Sequence, residues 1–485
     1  MKLPILLKAL QKDEYPDFEK FLQSPYFKNS KQYLQYFRCL CKNYPDFDSL
    51  DKEALELAYM QCFGGKSYSK TKLYNLHSGL GKQIELFLSV QTLLASVADG
   101  GISPQELFLI TALGRRHEHQ NFKKRSELAI AQIEKKADKS VEDHSDLHHL
   151  HQQVYYNPDT QKISLSEPNL PEAVKNLDLY YLISKLRYIA EMKTREKIMS
   201  IQYDYSQVDK VLSLTHKSGL LKESPLLEIY YKLVCIYMTE ASEQNFHSLI
   251  SDFKTHFSIL PKMDQILLSR LLINIGISLL ARDCAVEPEL FGIYKLTIEK
   301  NILLSEFRLT HTGFINIVNL ASICHEFEWT KNFIKEYASQ LEESKQKGSI
   351  DLGYALVHYY DGHLDEAQNL LNSAELYGIS MFDMIGKKVL IQTALDRLLL
   401  ERKDYFDFLS DKLASYEKFI RRHKQLTKEK KEAQLNWVKF IRKIASVKHA
   451  NIKVPESKKE QLRNKLKPLD PVLSKRWLAS RIELL

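Results

Sequence analysis

The chain has 485 residues, enough for two to four domains, with 44% hydrophobic and 27% charged residues, as in an ordinary globular protein. Gly (16) and Pro (14) are about half as frequent as average usage predicts, which with the abundance of Leu, Lys, Glu and Gln points away from sheet-rich folds and toward an all-α protein. The net charge is +8, but 21 Lys/Arg stand against 8 Asp/Glu from Phe408 onward, a local +13 that leaves −5 for the first 407 residues.

The N-terminal sequence MKLPILLKALQKDEYPDFEK is not that of a secretory signal: Lys8 breaks its apolar run, Asp13 and Glu14 follow, and no small-residue cleavage site is present. YPDFEKFLQ predicts a short helix ended by Ser24-Pro25. A second helix carries Tyr33, Leu34, Phe37 and Leu40 on one face and stops at Pro45. DSLDKEALELAYMQCF predicts a third, capped by Ser49 or Asp51 and closed by Gly64-Gly65. The six cysteines form no CxxC pair, so no zinc or redox motif is expected, and reduced thiols in a cytoplasmic protein are.

The next stretch, FGGKSYSKTKLYNLHSGLGKQIELFL, contains GGKS, the tail of a phosphate-binding loop. The loop would need Gly where Met60 stands, and a strand where a helix is predicted, so it is rejected. Leu73, Leu76, Leu80, Ile84 and Phe87 instead form a helical stripe behind an N-cap at Ser69. The result is a helix-turn-helix-like unit. Gly79 and Gly81 inside its second helix imply close packing or a bend, because each costs about 1 kcal/mol relative to Ala.

Two helices are predicted between Gly100 and Ala137, then one over DHSDLHHLHQQVYY. Pro158, Pro168 and Pro171 mark a linker. Beyond it, helices of about 12–18 residues alternate with short turns. ILLSRLLINIGISLLA is the most membrane-like segment, but Arg270 interrupts it, and a buried helix is expected rather than a membrane span. DLGYALVHYYDGHLDEAQNLLNSAEL resembles a tetratricopeptide unit, with Ala355 in helix A, Gly362 in the turn, and Ala367, Leu371 and Ala374 in helix B. Phe291, Trp329 and Tyr405 align with Ala367 at offsets of 38 residues, although they are large where that family has a small residue. The expected organisation is a helical domain over 1–95, a connector over 96–170, tetratricopeptide-like repeats over 171–450 and a basic helical cap over 451–485.

FEKFLQSPYF, YPDFD, the FGGKSYSK stretch, LDLYYLISKLRYIAE and FIRRHKQLTKEKKEAQLNWVKFI together resemble a family of uncharacterised bacterial all-helical proteins, over most of the chain. The resemblance implies no activity and no catalytic residue.

The histidines of DHSDLHHLH (His144, His148, His149, His151) have helical spacing for shared metal ligation, yet no HExxH accompanies them, and ordinary helix-surface histidines account for them. No GxSxG or catalytic cysteine context is present, so no catalytic residue, cofactor or metal is assigned. The leading reading is a non-enzymatic scaffold that binds a peptide or protein along a repeat groove, with His358, Tyr359, Tyr360 and Asn369 as groove positions. The alternative is a nucleic-acid-binding regulator. Its contacts would be Lys66, Lys70, Asn75, Ser78 and Lys82 in the N-terminal unit and Arg421, Arg422, Lys424, Lys439, Arg442 and Lys443 near the C-terminus. There, Trp437 and Phe440 are expected to pack inward. No membrane partner is expected.

Overall fold

The computed structural model describes residues 3–26, 31–64, 69–95, 102–158, 167–199, 201–239, 241–302, 309–373, 380–400, 404–423, 426–450 and 453–485. Among them there are 23 α-helices and no strand, so the chain is all-α. It divides into two compact units, Met1–Lys136 with Asp146–Val174, and Ala137–Ser145 with Lys175–Leu485. The segment expected to be a connector therefore belongs largely to the first unit. The boundary at 174/175 falls inside a helix rather than at the prolines, and Pro171 lies in that helix's first turn, where a missing N–H is tolerated.

Unit 1 contains α1 (Leu3–Lys8), α2 (Tyr15–Gln23), α3 (Lys31–Leu40), α4 (Lys52–Phe63), α5 (Lys70–Ala95), α6 (Pro104–Arg115) and α7 (His119–Glu134), and parts of α8 (Val141–Tyr156) and α9 (Asn169–Met199). Asp51 caps α4 by accepting from the Ala54 N–H at 2.8 Å, and Ser69 caps α5 by accepting from the Lys72 N–H at 3.1 Å. The whole predicted stripe of α5 is buried, packed on α1, α2 and α3. Phe18 meets Phe37 edge-on at 4.8 Å and Phe87 at 5.1 Å. The two glycines of α5 are explained by close approach: a Cβ on Gly79 would lie 2.0 Å from the Tyr33 hydroxyl oxygen, and one on Gly81 would lie 3.2 Å from a Leu6 methyl.

Under α5, Tyr36 donates to the Leu55 carbonyl at 3.1 Å, and His77 Nε2 lies 2.7 Å from the same hydroxyl. Burial pushes the His77 imidazole down to about 4, against 6.5 in an unfolded chain. Between those values the unfolded chain binds the extra proton, so the stability that neutral His77 contributes is full above pH 6.5 and fades as the pH falls toward 4. Urea unfolding at pH 7 and pH 5 is expected to show a loss that shrinks in His77→Gln. An identical loss in both proteins would show that the histidine is not its source.

Unit 2 continues from α9 through α10 (Val208–Lys217), α11 (Pro225–Met238), α12 (Glu243–His256), α13 (Lys262–Ala281) and α14 (Glu287–Glu299). Then come α15 (His311–Ile323), α16 (Phe327–Tyr337), α17 (Glu343–Tyr360), α18 (Leu364–Ser373), α19 (Ser380–Leu399) and α20 (Tyr405–Arg422). α21 (Lys428–His449), α22 (Glu456–Leu466) and α23 (Lys475–Glu483) complete it. From α13 to α22 these helices form hairpins, and the first helix of one packs on the first helix of the next: α15 on α17, α17 on α19, α19 on α21. Phe291, Trp329, Ala367 and Tyr405 all fall in second helices, α14, α16, α18 and α20.

Three of these hairpins share one turn geometry. Asp283, His325 and Gly362 have φ of 63°, 59° and 85°. In each turn that residue's N–H bonds three residues back and the following N–H bonds five residues back, the double bond that closes a helix C-terminus. Glycine takes this left-handed conformation without strain, while Asp and His adopt it less readily. α13 is long and apolar enough to cross a membrane by length and composition. Here its Leu268, Leu271, Leu272, Ile275 and Leu279 are buried in the unit's core, and Arg270 pairs with Glu191 of α9.

Candidate functional site

The second helix of the α15–α16 hairpin carries an aromatic ladder. Trp329, Phe333 and Tyr337, four residues apart, share one face, with Trp329 stacked on Phe333 at 5.3 Å and Tyr337 tilted against Phe333 at 4.9 Å. Phe291 of α14 meets Trp329 edge-on at 5.1 Å and holds its ring. The ladder forms one wall of an open cleft of about 620 Å³, with the end of α14 opposite. Glu299 and Glu336 stand at its rim, and Asn301, Asn332 and Gln340 add amide groups. Among the described residues, no Lys, Arg or His lines it. The cations of α16 lie round the helix from the ladder: Lys331 is paired with Glu328 at 2.9 Å, and Lys335 projects into solvent. Burial pushes the Tyr337 phenol up, and the adjacent, hydrogen-bonded Glu336 adds to the shift. Aromatic faces beside carboxylates attract a cation, through the ring quadrupole and through charge. The same walls repel an anion.

The four groove positions expected from the sequence do not form one open face. Tyr359 is 5% exposed and covered by the C-terminal helix α23, and His358 and Tyr360 are half-buried. Asn369 is exposed on α18. Tyr359 donates to Asp396 Oδ2 at 3.0 Å and accepts from Trp477 Nε1 at 3.1 Å and Arg481 Nη2 at 3.2 Å. Arg481 also forks onto both Asp396 oxygens at 2.7 Å each. Nearer the start of α23, Arg476 Nη2 donates to Glu287 at 2.5 Å and to the Cys284 carbonyl at 2.8 Å, and the Arg476 backbone N–H donates to Asp283 at 2.6 Å. The tail of the chain thus ties together residues of three hairpins. On its other face Leu478 and Ile482 are buried in the core with α21.

Of the predicted nucleic-acid contacts, Lys66 and Lys424 lie outside the described residues. Lys70, Asn75, Ser78 and Lys82 are all exposed on α5. Ser78 and Lys82, however, border a cavity of about 300 Å³ closed by Leu3 and Leu6 of α1. Because α1 runs beside that edge, only Lys70 and Asn75 stand clear of it for a duplex. At the other end, Glu417 accepts from Arg421 and from Arg442, at 2.7 Å each, which offsets two of the expected phosphate contacts. Arg422, Lys439 and Lys443 are exposed. Trp437 and Phe440 are buried, as their spacing predicted.

Of the four histidines of α8, His149 is exposed as expected, while His144, His148 and His151 are packing groups rather than surface ones. His144 Nδ1 lies 2.8 Å from the Asn176 side-chain oxygen, and His148 Nδ1 2.9 Å from the Ala173 carbonyl. His151 Nδ1 lies 2.9 Å from the Asn169 side-chain oxygen. Each uses a ring nitrogen to join α8 to α9, and no group of three or more metal-ligating side chains occurs among the described residues.

Sequence reasoning placed Trp329 in the repeat but missed the cleft. The signal was present as Trp329, Phe333, Glu336, Tyr337 and Gln340 at helical spacing. The opposing wall, the end of α14, is 30 residues away and no periodicity announces it. No family model, curated protein or solved structure matches the chain.

Proposed function

We propose that this is a non-enzymatic interaction protein that binds a peptide or protein partner along a tetratricopeptide-like run of hairpins, and that the α14–α16 cleft receives a Lys or Arg side chain of that partner. The cleft itself carries the reading: three aromatic rings in a row, two carboxylates and three amides face an open volume with no cation among the described lining residues. Stacked hairpins present side chains from several helices to one extended partner. The seating of α23 supports the same chemistry, since Arg476, Trp477 and Arg481 are held by acids and a tyrosine of neighbouring hairpins. The resemblance to uncharacterised bacterial helical proteins accords with a binding role and adds no catalytic one.

The test is fluorescence anisotropy of a labelled Lys/Arg-rich helical peptide with the full chain, beside a peptide in which Glu replaces each basic residue. The basic peptide is expected to bind and the acidic one not. Trp329→Ala removes a ring worth about 0.5–2 kcal/mol to a bound cation, roughly a two- to thirtyfold rise in Kd. Equal binding of both peptides, or an unchanged Kd in Trp329→Ala, would overturn the reading.

A further inference from the structure

The most basic part of the chain is sorted by charge once folded. α22, ESKKEQLRNKL, has two opposite faces. On one, Arg463 gathers the acids: its Nη1 donates to Glu456 at 2.7 Å and to Glu460 at 2.9 Å, and its Nη2 donates to Glu483 of α23 at 2.7 Å. On the other lie Lys458, Leu462 and Lys465, one and two turns apart. That second face meets Arg442, Lys443 and Val447 of α21 across a cleft of about 380 Å³. Four cations line the cleft and, among the described residues, no carboxylate does. Its floor is apolar, from Val447 and Leu462.

The acids of α22 and α23 that could neutralise Lys443 and Lys465 are engaged elsewhere. Glu417 holds Arg442 from outside the cleft, at 2.7 Å, and fixes the guanidinium in place. Lys443 lies over the Phe440 ring, 5.9 Å from its centroid, and is exposed. Lys465 is exposed, and no carboxylate among the described residues pairs with it or with Lys443. Like charges facing one cleft repel one another, and an anion shared between them relieves that repulsion. Surfaces that serve only solubility intersperse both signs. Here one face of a single eleven-residue helix mixes both signs and the opposite face carries only lysines beside Leu462.

From this geometry we infer that the α21–α22 cleft is a binding site for a compact ligand carrying two or more phosphate groups, held between Lys443 and Arg442 on one wall and Lys458 and Lys465 on the other. The volume suits a small molecule rather than a duplex, whose phosphates would need a longer cationic track. Arg442, its charge partly offset by Glu417 at Nη1, keeps its other guanidinium N–H groups to donate to one phosphate, and the lysines act as point charges on the others. The site is independent of the cation-accepting cleft, and either can fail without the other.

The test is isothermal titration of the full chain with inorganic tripolyphosphate. Saturable one-to-one binding is expected, weakening as salt rises. Lys443→Gln with Lys465→Gln should raise Kd at least tenfold, whereas Lys443→Arg with Lys465→Arg should keep binding near the parent value. Lys52→Gln with Lys210→Gln removes the same charge at exposed sites elsewhere and should leave binding unchanged. Far-ultraviolet dichroism confirms that each variant is folded. Two further probes distinguish the source of the phosphates: a ten-residue oligothymidylate, and vesicles containing a phosphoinositide. Absence of saturable tripolyphosphate binding overturns the proposal, as does equal weakening by the control pair. It is also overturned if oligothymidylate or the vesicles bind through Lys443 and Lys465 while tripolyphosphate does not.

Discussion

Asp264→Ala is expected to destabilise unit 2 by about 3–5 kcal/mol, the cost of removing one partner of a buried ion pair. Asp264 sits in the first turn of α13 and is 1% exposed. Its Oδ1 accepts from Arg187 Nη2 at 2.7 Å and from the Tyr230 hydroxyl at 2.8 Å. Arg187 belongs to α9 and Tyr230 to α11, so one carboxylate joins three helices. Tyr230 is fully buried, and the Arg187 side chain is 14% exposed. Removing the carboxylate leaves a guanidinium and a phenol facing each other in a space that water reaches poorly. Asp264→Asn keeps an acceptor but loses the charge, so its cost should fall between the parent and Asp264→Ala. Urea unfolding followed by far-ultraviolet dichroism measures both. A loss below about 1 kcal/mol in Asp264→Ala would place the interaction with exposed pairs, which contribute little.

Arg481→Ala is expected to loosen α23 and to cost about 2–3 kcal/mol, as for other hydrogen bonds to charged groups. Arg481 is 21% exposed at its side chain and Asp396 13%, so solvent screens the pair only in part. The guanidinium also lies 5.0 Å from the Trp477 ring centroid, and its loss removes that contact. Arg476 is more exposed, at 43% of its side chain, so Arg476→Ala should cost less. Amide hydrogen exchange reads the effect locally: protection across Lys475–Glu483 should fall in Arg481→Ala while that of α13 stays unchanged. Because Leu478 and Ile482 remain in the core, α23 should loosen rather than detach. Unaltered protection there would show that burial alone holds the helix.

Much of this architecture was legible because helical periodicity is local. The α5 stripe, the caps at Asp51 and Ser69 and the second-helix positions of Phe291, Trp329, Ala367 and Tyr405 are each written within one helix or at one fixed offset. The close approaches implied by Gly79 and Gly81 were legible too, but not their partners, since Tyr33 and Leu6 come from other helices. What could not be read was pairing over long separations. Tyr359 and Tyr360 follow the repeat pattern and read as groove residues. α23 covers Tyr359 through contacts more than a hundred residues apart in sequence, and nothing local encodes that return. Three of the α8 histidines taken for surface groups, His144, His148 and His151, are packed because α9 supplies an acceptor for each, and acceptors on a second helix leave no trace in the spacing of the first. Net charge does not say which cations are paired either: within the C-terminal excess of +13, Arg421 and Arg442 are held by Glu417, Arg463 by Glu456, Glu460 and Glu483, Arg476 by Glu287 and Arg481 by Asp396.

The central claim is that the α14–α16 cleft receives a cationic side chain, and a charge swap tests it most directly. Glu336→Lys places a positive charge at the rim of the cleft beside Tyr337. Its affinity for the Lys/Arg-rich peptide should fall at least tenfold, and affinity for the Glu-substituted peptide should appear where the parent protein shows none. If Glu336→Lys binds both peptides as the parent does, the cleft is not where the partner's charge is read.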